Sequence, residues 1–217
     1  MFVLVLLSDT VKVPPHKFSY ELDAIKTELN KKYGDKVIPK VGLGVTLYDV
    51  VKVGDGFIYP GDGSAHTKVT FRMVVFRPFR GEVIVGKLRH STPDGITVSL
   101  GFFEDVFIPK EELQEPSFYD KAEKLWVWEY QSETGEQHRF FMDPGFELRF
   151  RVTSLQFNET PRKQTFKPKK PDHIMPDANA NKNEPSSSSS SSDSHAYPPM
   201  AILGTCKEDG LGMLDWW

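Results

Sequence analysis

Cations and phenylalanines alternate along short β-type segments in the middle of the chain. In "RPFRGEVIVGKLRHSTPDGITVSLGFFEDVFIP", residues 77–109, Lys87 and Arg89 share one strand face, and Phe103 and Phe107 are expected on the same side of a later strand. Cations neutralise phosphates and exposed rings stack on bases, so this pattern indicates a sequence-tolerant site for single-stranded nucleic acid. The alternative is that Phe103 and Phe107 pack against a neighbouring part of the protein, and the residues alone leave both open.

Two other segments combine aromatic or basic residues, and each has a simpler explanation than ligand binding. The run "PRKQTFKPKKP", residues 161–171, places five cations around Phe166. It is compatible with a flexible basic segment that binds RNA or with a nuclear-import signal, although a solvated linker is the favoured interpretation. In "LWVWEY", Trp126 and Trp128 share one strand face, which is more typical of a core or an interface than of a ligand cage.

Residues suited to catalysis or metal binding form no recognisable arrangement in the sequence. The histidines are scattered, without a spacing such as His-Glu-x-x-His that places two metal ligands on one helix face. The glycine-rich turns at residues 42–44, 54–56 and 61–63 lack the strand-to-helix context of a phosphate-binding loop. Carboxylates of the barrel segments are expected to be solvated. The sequence therefore predicts no catalytic, cofactor-binding or metal site, and a hydrolase is the weakest alternative.

Composition limits the class of protein and of partner. The 217 residues are enough for two small domains, and a net charge of −3 excludes a polybasic coat protein, so any nucleic-acid contact must come from a local patch. The single cysteine, Cys206, excludes a disulfide within these residues and is typical of a reducing compartment. The apolar start lacks a basic segment and a cleavage site, so it predicts a strand and not a signal peptide or membrane span.

Periodicity predicts an α+β domain at the start of the chain. Residues 2–7 are apolar throughout, as expected for a strand buried on both faces, and the strand is expected to continue to Val13. Leu22, Ile25 and Leu29 then recur at helical spacing up to a glycine stop. Strand-like runs follow at residues 45–53, 56–59 and 68–76, with glycine turns between them. This order predicts one helix packed on an antiparallel sheet.

The rest of the chain predicts a barrel and two further segments. Short strand-like runs at 82–89, 96–100, 103–108, 124–129, 137–141 and 147–157 favour a small closed all-β barrel. Residues 109–122 are expected to form a helical or irregular insertion. The predicted boundaries are 1–79 for the first domain, 80–160 for the barrel, 161–199 for a disordered basic and serine-rich loop, and 200–217 for a tail that returns to the folded body.

Several segments together resemble one known family. "GLGVTLYDVVKVGDGFIYPGDGSAHTKVTFRMVVFRPFRGEV", "GITVSLGFFEDVFIP", "LWVWEY", "GFELRFRV" and "GLGMLDWW" are similar to the larger stalk subunits of multisubunit RNA polymerases. That family includes the archaeal stalk proteins and their eukaryotic paralogues, and "FFEDVFIP" and "WVWEY" resemble its RNA polymerase III member in particular. The resemblance implies a truncated RNP-like N-terminal domain followed by an OB-type barrel.

The resemblance also implies a function. A protein of this kind is a non-catalytic subunit of a nuclear DNA-directed RNA polymerase III, without a cofactor. It pairs with a smaller helical stalk subunit, attaches to the polymerase core, contacts initiation factors and supports transcription initiation at genes for small non-coding RNAs. A weak site for emerging single-stranded RNA is a further expectation, and no membrane is involved.

Two sets of contact residues follow from the same resemblance. Glycine-rich segments at the tip of the stalk dock on the core, because close backbone approach and positive φ favour residues without a Cβ. The tip residues here are Gly42, Leu43, Gly44, Val45, Pro60, Gly61, Asp62 and Gly63. The smaller subunit packs in the groove between the two domains, together with the closing segment. The closing residues are Leu211, Gly212, Leu214, Trp216 and Trp217.

Two positions depart from the OB-type RNA-binding module of polynucleotide phosphorylase, which the barrel also resembles. Thr97 stands where that module carries an aromatic residue, and Pro109 stands where it carries a histidine. Because a stacked base contributes about 1–3 kcal/mol, RNA binding here depends on Lys87, Arg89, Phe103 or Phe107. A free-standing OB-fold RNA-binding protein and the stalk subunit of another nuclear polymerase are the alternatives.

Overall fold

A four-stranded antiparallel sheet with one helix against it forms the N-terminal part of the chain. The structure, a computed structural model, describes residues 1–131, 136–158 and 198–216. The elements are β1 (Phe2–Val13), a 3-10 helix (Pro15–Tyr20), α1 (Glu21–Tyr33), β2 (Lys36–Ile38), β3 (Gly42–Ile58) and β4 (Ala65–Phe76). Their order in the sheet is β1-β4-β3-β2. The predicted α+β architecture is confirmed.

The helix packs its apolar side on one face of this sheet. Its first turn is acidic and its last turn carries lysines, both favourable for the helix dipole. Ala24, Ile25 and Leu29 are buried against the odd-numbered apolar residues of β4. Leu22 was expected in this buried stripe, but it is 51% exposed in the first turn, so the stripe begins at Ala24.

Strand β1 differs from its prediction, because only one of its faces is covered. Among the described residues it pairs with β4 alone, so it is an edge strand. Val5 and Leu7 pack toward the helix, whereas Leu4 and Leu6 on the opposite face are 52% and 62% exposed. The prediction that this chain buries β1 on both faces was therefore wrong. The continuous apolar run combines a core face with an exposed apolar face.

Strand β3 also differs from its prediction, since no turn interrupts it at Gly54. Its pairing with β4 continues from Leu43 to Ile58, and register shifts absorb the extra residues, including those between Val53 and Gly56. The hairpin turn comes later, where Gly61 and Gly63 adopt positive φ of 86° and 66°. The two strands thus form one long hairpin.

The second part of the chain closes into a barrel with an added sheet. Its strands are β5 (Val83–Thr92), β6 (Gly95–Ser99), β7 (Val106–Pro109), β8 (Ser117–Asp120), β9 (Leu125–Gln131), β10 (Gln137–Phe141), β11 (Glu147–Phe157), β12 (Met200–Thr205) and β13 (Gly212–Met213). The order β12-β7-β6-β5-β11-β13 is closed by pairing of β12 with β11. Ile84, Leu88, Ile96 and Val98 fill the interior, as alternation predicts.

Strands β8, β9 and β10 form a separate three-stranded sheet on the barrel. Residues 109–122 were expected to be helical or irregular, but they contain both a short 3-10 turn (Lys110–Glu112) and strand β8. Trp126 joins this added sheet to the barrel, because its side chain lies in the barrel core and its indole nitrogen donates to the carbonyl of Thr92 at 2.8 Å.

The first sheet and the barrel meet directly. Phe76 ends β4, yet its ring is fully buried in the barrel core. It contacts the rings of Phe2, Phe102 and Phe103 at centroid distances of 5.6, 4.9 and 5.5 Å. The two halves therefore share one aromatic cluster.

Two remaining expectations concern disorder and membranes. The predicted disordered loop, residues 161–199, lies outside the described residues except for its last two positions. Within the described ranges, no helix is long and apolar enough to cross a membrane.

Candidate functional site

The two candidate RNA-binding cations lie on the outer face of the barrel, but acidic residues compensate their charge. Lys87 and Arg89 are exposed on β5. Arg89 forms an ion pair with Glu104, and Lys87 stands directly opposite Glu147 on β11. An acidic neighbour beside each cation lowers the attraction for a phosphate.

The two candidate stacking rings have different environments. Phe103 is only 6% exposed and packs on Phe76, so of the two alternatives left open by the sequence it follows the second, packing against a neighbouring part of the protein. Phe107 is half-buried, and its ring lies against Gly95, where a Cβ would approach the ring to 2.9 Å. Of the four RNA candidates, Lys87 and Arg89 are exposed and Phe107 offers part of one ring.

The predicted core-docking residues fall at opposite ends of the long hairpin, so they do not form one site. Residues 42–45 begin β3, where Leu43 pairs with Phe76 beside the barrel. Residues 60–63 form the hairpin turn, next to the beginning of β4 at Ala65. Docking at a single point can use only one of these two ends.

The glycines at the barrel end have an internal packing role. A Cβ on Gly42 would lie 2.5 Å from the carbonyl oxygen of Phe76, and one on Gly44 would lie 2.3 Å from that of Tyr33. Both glycines are buried within the chain, and docking of residues 42–45 on the polymerase core stays a prediction. The two glycines permit close contact of β3 with β4 and α1.

The distal hairpin end carries apolar side chains that the sequence analysis did not select. Phe57, Ile58 and Tyr59 are all exposed immediately before the turn, with Phe57 at 66%. We call these residues, with the turn at 60–63, the hairpin end. The run "GFIYPGDG" was the available signal, since three large apolar residues precede a tight turn.

A polar network holds the turn of the hairpin end. The carboxylate of Asp62 accepts from the Lys12 ammonium at 2.6 Å and lies 2.7 Å from the His66 ring nitrogen. The hydrogen bond from Lys12, followed by that from His66, holds the pKa of Asp62 below its ordinary value. The Tyr59 ring also meets His66 edge-on at 5.0 Å. This network fixes the turn beside the exposed apolar side chains.

A second exposed apolar surface crosses the boundary between sheet and barrel. It comprises Phe2, Leu4 and Leu6 on the open face of β1 and Phe102 in the loop between β6 and β7, and we call it the junction strip. Phe2 and Phe102 join the two halves, with ring centroids 5.8 Å apart. The strip could not be predicted from the sequence, because an entirely apolar run is also the pattern of a strand buried on both faces.

The closing segment packs on the barrel and the added sheet, not at the aromatic junction. Leu211 and Gly212 are buried within the chain, and contact of the closing residues with the smaller subunit stays a prediction. Leu214 is half-buried, and so is Trp216, whose ring lies 5.2 Å from that of Trp128. Trp217 lies outside the described residues.

The described residues contain no arrangement suited to catalysis by metal or thiol. No group of three or more His, Cys, Asp or Glu side chains in that part of the chain could hold a metal ion. Burial raises the pKa of the Cys206 thiol to about 12, which keeps it protonated and poorly reactive. The candidate sites that the structure offers are interaction surfaces.

Comparison with known proteins covers both parts of this fold. The model of the family described as "RNA polymerase III subunit Rpc25" matches residues 82–217, and that of the "SHS2 domain found in N terminus of Rpb7p/Rpc25p/MJ0397" matches residues 8–63. The chain is 44% identical to "DNA-directed RNA polymerase III subunit RPC8" of Bos taurus, over 100% of this chain and 98% of that protein. The protein of the same name from Saccharomyces cerevisiae is 38% identical, over 100% of both chains.

A more distant similarity reaches an archaeal protein. The chain is 26% identical to "DNA-directed RNA polymerase subunit Rpo7" of Saccharolobus solfataricus, over 75% of this chain and 87% of that protein. The similarity to polymerase subunits therefore extends beyond the eukaryotic relatives.

Proposed function

The chain belongs to the family of RNA polymerase III subunit Rpc25, and on this premise we propose that it is the larger, non-catalytic subunit of the stalk of that polymerase, acting in the nucleus. The polymerase subunits among its relatives support this function over a free-standing RNA-binding protein. In this role it pairs with a smaller helical subunit, docks on the polymerase core, and supports initiation at genes for small non-coding RNAs through contacts with initiation factors.

The junction strip is the observation that carries the proposed pairing. Leu4 and Leu6 are more than half exposed on an edge strand, and Phe102 continues the apolar surface onto the barrel. A contiguous apolar surface of this kind marks an interaction site, because leaving it in water is unfavourable. A helical partner lying along the strip would touch both halves of the chain and fix their relative orientation.

Leu6→Glu is expected to weaken the complex with the smaller subunit by at least about 30-fold, which corresponds to about 2 kcal/mol. The substitution places a charge on the exposed face of β1, so it leaves the core beneath α1 unchanged. Copurification after coexpression gives a first readout, and titration of the labelled smaller subunit gives the affinity. The full chain produced alone is expected to aggregate and to be rescued by coexpression.

The matched control is Leu22→Glu, which changes a leucine of similar exposure on the helix side of the sheet. It is expected to leave the affinity within about twofold of that of the unchanged chain, since surface changes outside an interface cost little. Equal losses for both substitutions, or no loss for either, would contradict the placement of the smaller subunit on the junction strip.

The hairpin end is the proposed attachment to the polymerase core. Its three apolar side chains lie at the far end of the long hairpin from the barrel, and the contacts of Asp62 hold the adjoining turn. Apolar residues fixed in one geometry bind with a smaller loss of entropy than mobile ones. The glycines of the turn supply its positive φ, and Phe57, Ile58 and Tyr59 supply the contact area.

Binding of emerging RNA is proposed as a weak, secondary property of the barrel. We expect Lys87→Glu to lower the affinity for a single-stranded RNA several-fold and to reduce its salt slope by about 1, as for loss of one phosphate contact. Fluorescence anisotropy with labelled oligouridine at several salt concentrations measures both quantities. Lys121→Glu, at an exposed lysine in the turn between β8 and β9, is the charge-matched control. Identical salt slopes for the two variants would exclude Lys87 from the RNA contact.

A further inference from the structure

The added sheet and the closing segment together form a groove on the barrel that neither the junction strip nor the hairpin end uses. It has a volume of about 220 Å³. Four aromatic residues and two carboxylates line it: Phe140, Phe141, Phe146, Trp216, Asp143 and Asp215. We call it the C-terminal groove. Met213, which is buried, contributes to its lining from β13.

Stacked rings make one wall of the groove rigid. Phe140 stacks on Trp128 at a centroid distance of 5.3 Å and an interplanar angle of 29°. Trp216 contacts the same two rings, at 5.2 Å from Trp128 and 5.8 Å from Phe140. Phe141 and Phe146 in turn leave large parts of their rings exposed. A fixed aromatic wall beside exposed rings can hold an apolar side chain at little entropic cost.

The charges around the groove favour a cationic ligand. Asp143 and Asp215 are exposed at its lining, and the structure shows no ion pair for either among the described residues. The only lining cation in that part of the chain, Arg139, is held by Glu129, with 3.0 Å between Nε and Oε1. Two carboxylates beside aromatic faces attract a lysine or arginine and repel a phosphate backbone.

We propose that the C-terminal groove binds a short segment of another protein that carries an apolar anchor residue flanked by arginine or lysine. Its volume of about 220 Å³ is below the range of about 300–1,000 Å³ that is typical of small-molecule sites. It has room for one or two side chains of a peptide. The anchor packs on the aromatic wall, and the flanking cations pair with Asp143 and Asp215.

This surface is separate from those of the proposed stalk contacts. The junction strip lies on β1 and the loop between β6 and β7, and the hairpin end lies at the turn between β3 and β4. No residue of either surface lines the groove. A basic segment can therefore bind while the smaller subunit and the polymerase core occupy their own surfaces.

The test uses the full chain copurified with its smaller subunit and a defined peptide library. Every peptide carries a central pair drawn from Leu, Met, Phe and Trp, flanked either by arginines or by glutamates. At an ionic strength of about 0.15 M, where exposed charges are screened beyond about 8 Å, the tightest arginine-flanked peptide is expected to bind at least about 10-fold more tightly than its glutamate-flanked equivalent. Fluorescence anisotropy measures both affinities.

Two variants of the groove, each with a matched control elsewhere on the chain, locate the binding. Asp143→Asn with Asp215→Asn is expected to remove most of the preference for arginine, whereas Asp55→Asn with Asp209→Asn, at exposed positions elsewhere, is expected to preserve it. Phe146→Ser is expected to weaken the best peptide at least about 10-fold, and Phe118→Ser, a similar exposed ring on β8, is expected to have little effect.

Three results would overturn the proposal. These are equal affinities for arginine-flanked and glutamate-flanked peptides, no binding by any member of the library, and binding that survives both groove variants. The groove would be assigned to nucleic acid instead if oligouridine bound more tightly than the best peptide and if Phe146→Ser abolished this oligouridine binding.

Discussion

Phe76→Ala is expected to lower the free energy of unfolding by about 3–5 kcal/mol, since it removes a large, fully buried ring. Phe76 belongs to β4 by sequence and to the barrel core by packing, and it touches Phe2, Phe102 and Phe103. Its loss leaves a cavity where the two halves of the chain meet. The junction strip is built on the same cluster, so this variant is also expected to bind the smaller subunit more weakly.

Urea unfolding of the full chain, at a protein concentration low enough to prevent aggregation and followed by tryptophan fluorescence, measures this loss. All four tryptophans lie in the second half of the chain, and Trp126, Trp128 and Trp216 report on the barrel and the added sheet. The control is Phe57→Ala, which removes an exposed ring of the hairpin end and is expected to change stability by no more than about 0.5 kcal/mol. Equal urea midpoints for Phe76→Ala and Phe57→Ala would mean that the aromatic cluster around Phe76 does not stabilise the barrel.

Alternation along the strands predicted the interior of the barrel at β5 and β6, because that interior depends on local pattern, but it did not identify β12, which closes the barrel from the predicted tail. Ile84, Leu88, Ile96 and Val98 repeat at every second position, and each is buried in the structure. The run at residues 2–7 has no such pattern. An apolar side chain looks the same in sequence whether a helix or a separate subunit covers it, so the open face of β1 could not be recognised.

The same limit applies to individual site residues. Phe103 and Phe107 have equivalent places in the alternation, yet Phe103 is buried because Phe76, from a different part of the chain, lies over it. Gly42 and Gly61 likewise appear alike in sequence. Gly42 is packed against the β4 backbone, whereas a Cβ on Gly61 would meet nothing within 4 Å. Contacts between distant segments decide these roles, and the family resemblance specified the fold and the type of subunit but not these contacts.

The distribution of exposed apolar residues suggests how the chain can serve several contacts at once. The hairpin end, the junction strip and the C-terminal groove lie on different elements, and buried clusters under the helix and in the barrel connect them. Because close-packed interiors have low compressibility, we expect this packing to keep the three surfaces rigid relative to one another. This rigidity is what a stalk requires to position other proteins relative to the polymerase core.

Removing the two aromatic side chains of the hairpin end is expected to weaken attachment to the polymerase core strongly. In Phe57→Ser with Tyr59→Ser, two exposed rings are lost while Asp62, Lys12 and His66 still hold the turn. Aromatic anchors contribute most of the energy of many interfaces, so the affinity for a stalk-free polymerase core is expected to fall by at least about 30-fold. Binding of the smaller subunit should be unchanged.

The measurement is titration of stalk-free polymerase III with the labelled two-subunit stalk. Phe118→Ser with Tyr130→Ser is the matched control, because it removes the same two residue types from exposed positions of the added sheet. Its affinity for the core is expected to equal that of the unchanged stalk. If the hairpin variant bound the core as tightly as this control, attachment would have to depend on another surface, and the residues at 42–45 beside the barrel would be the next to test.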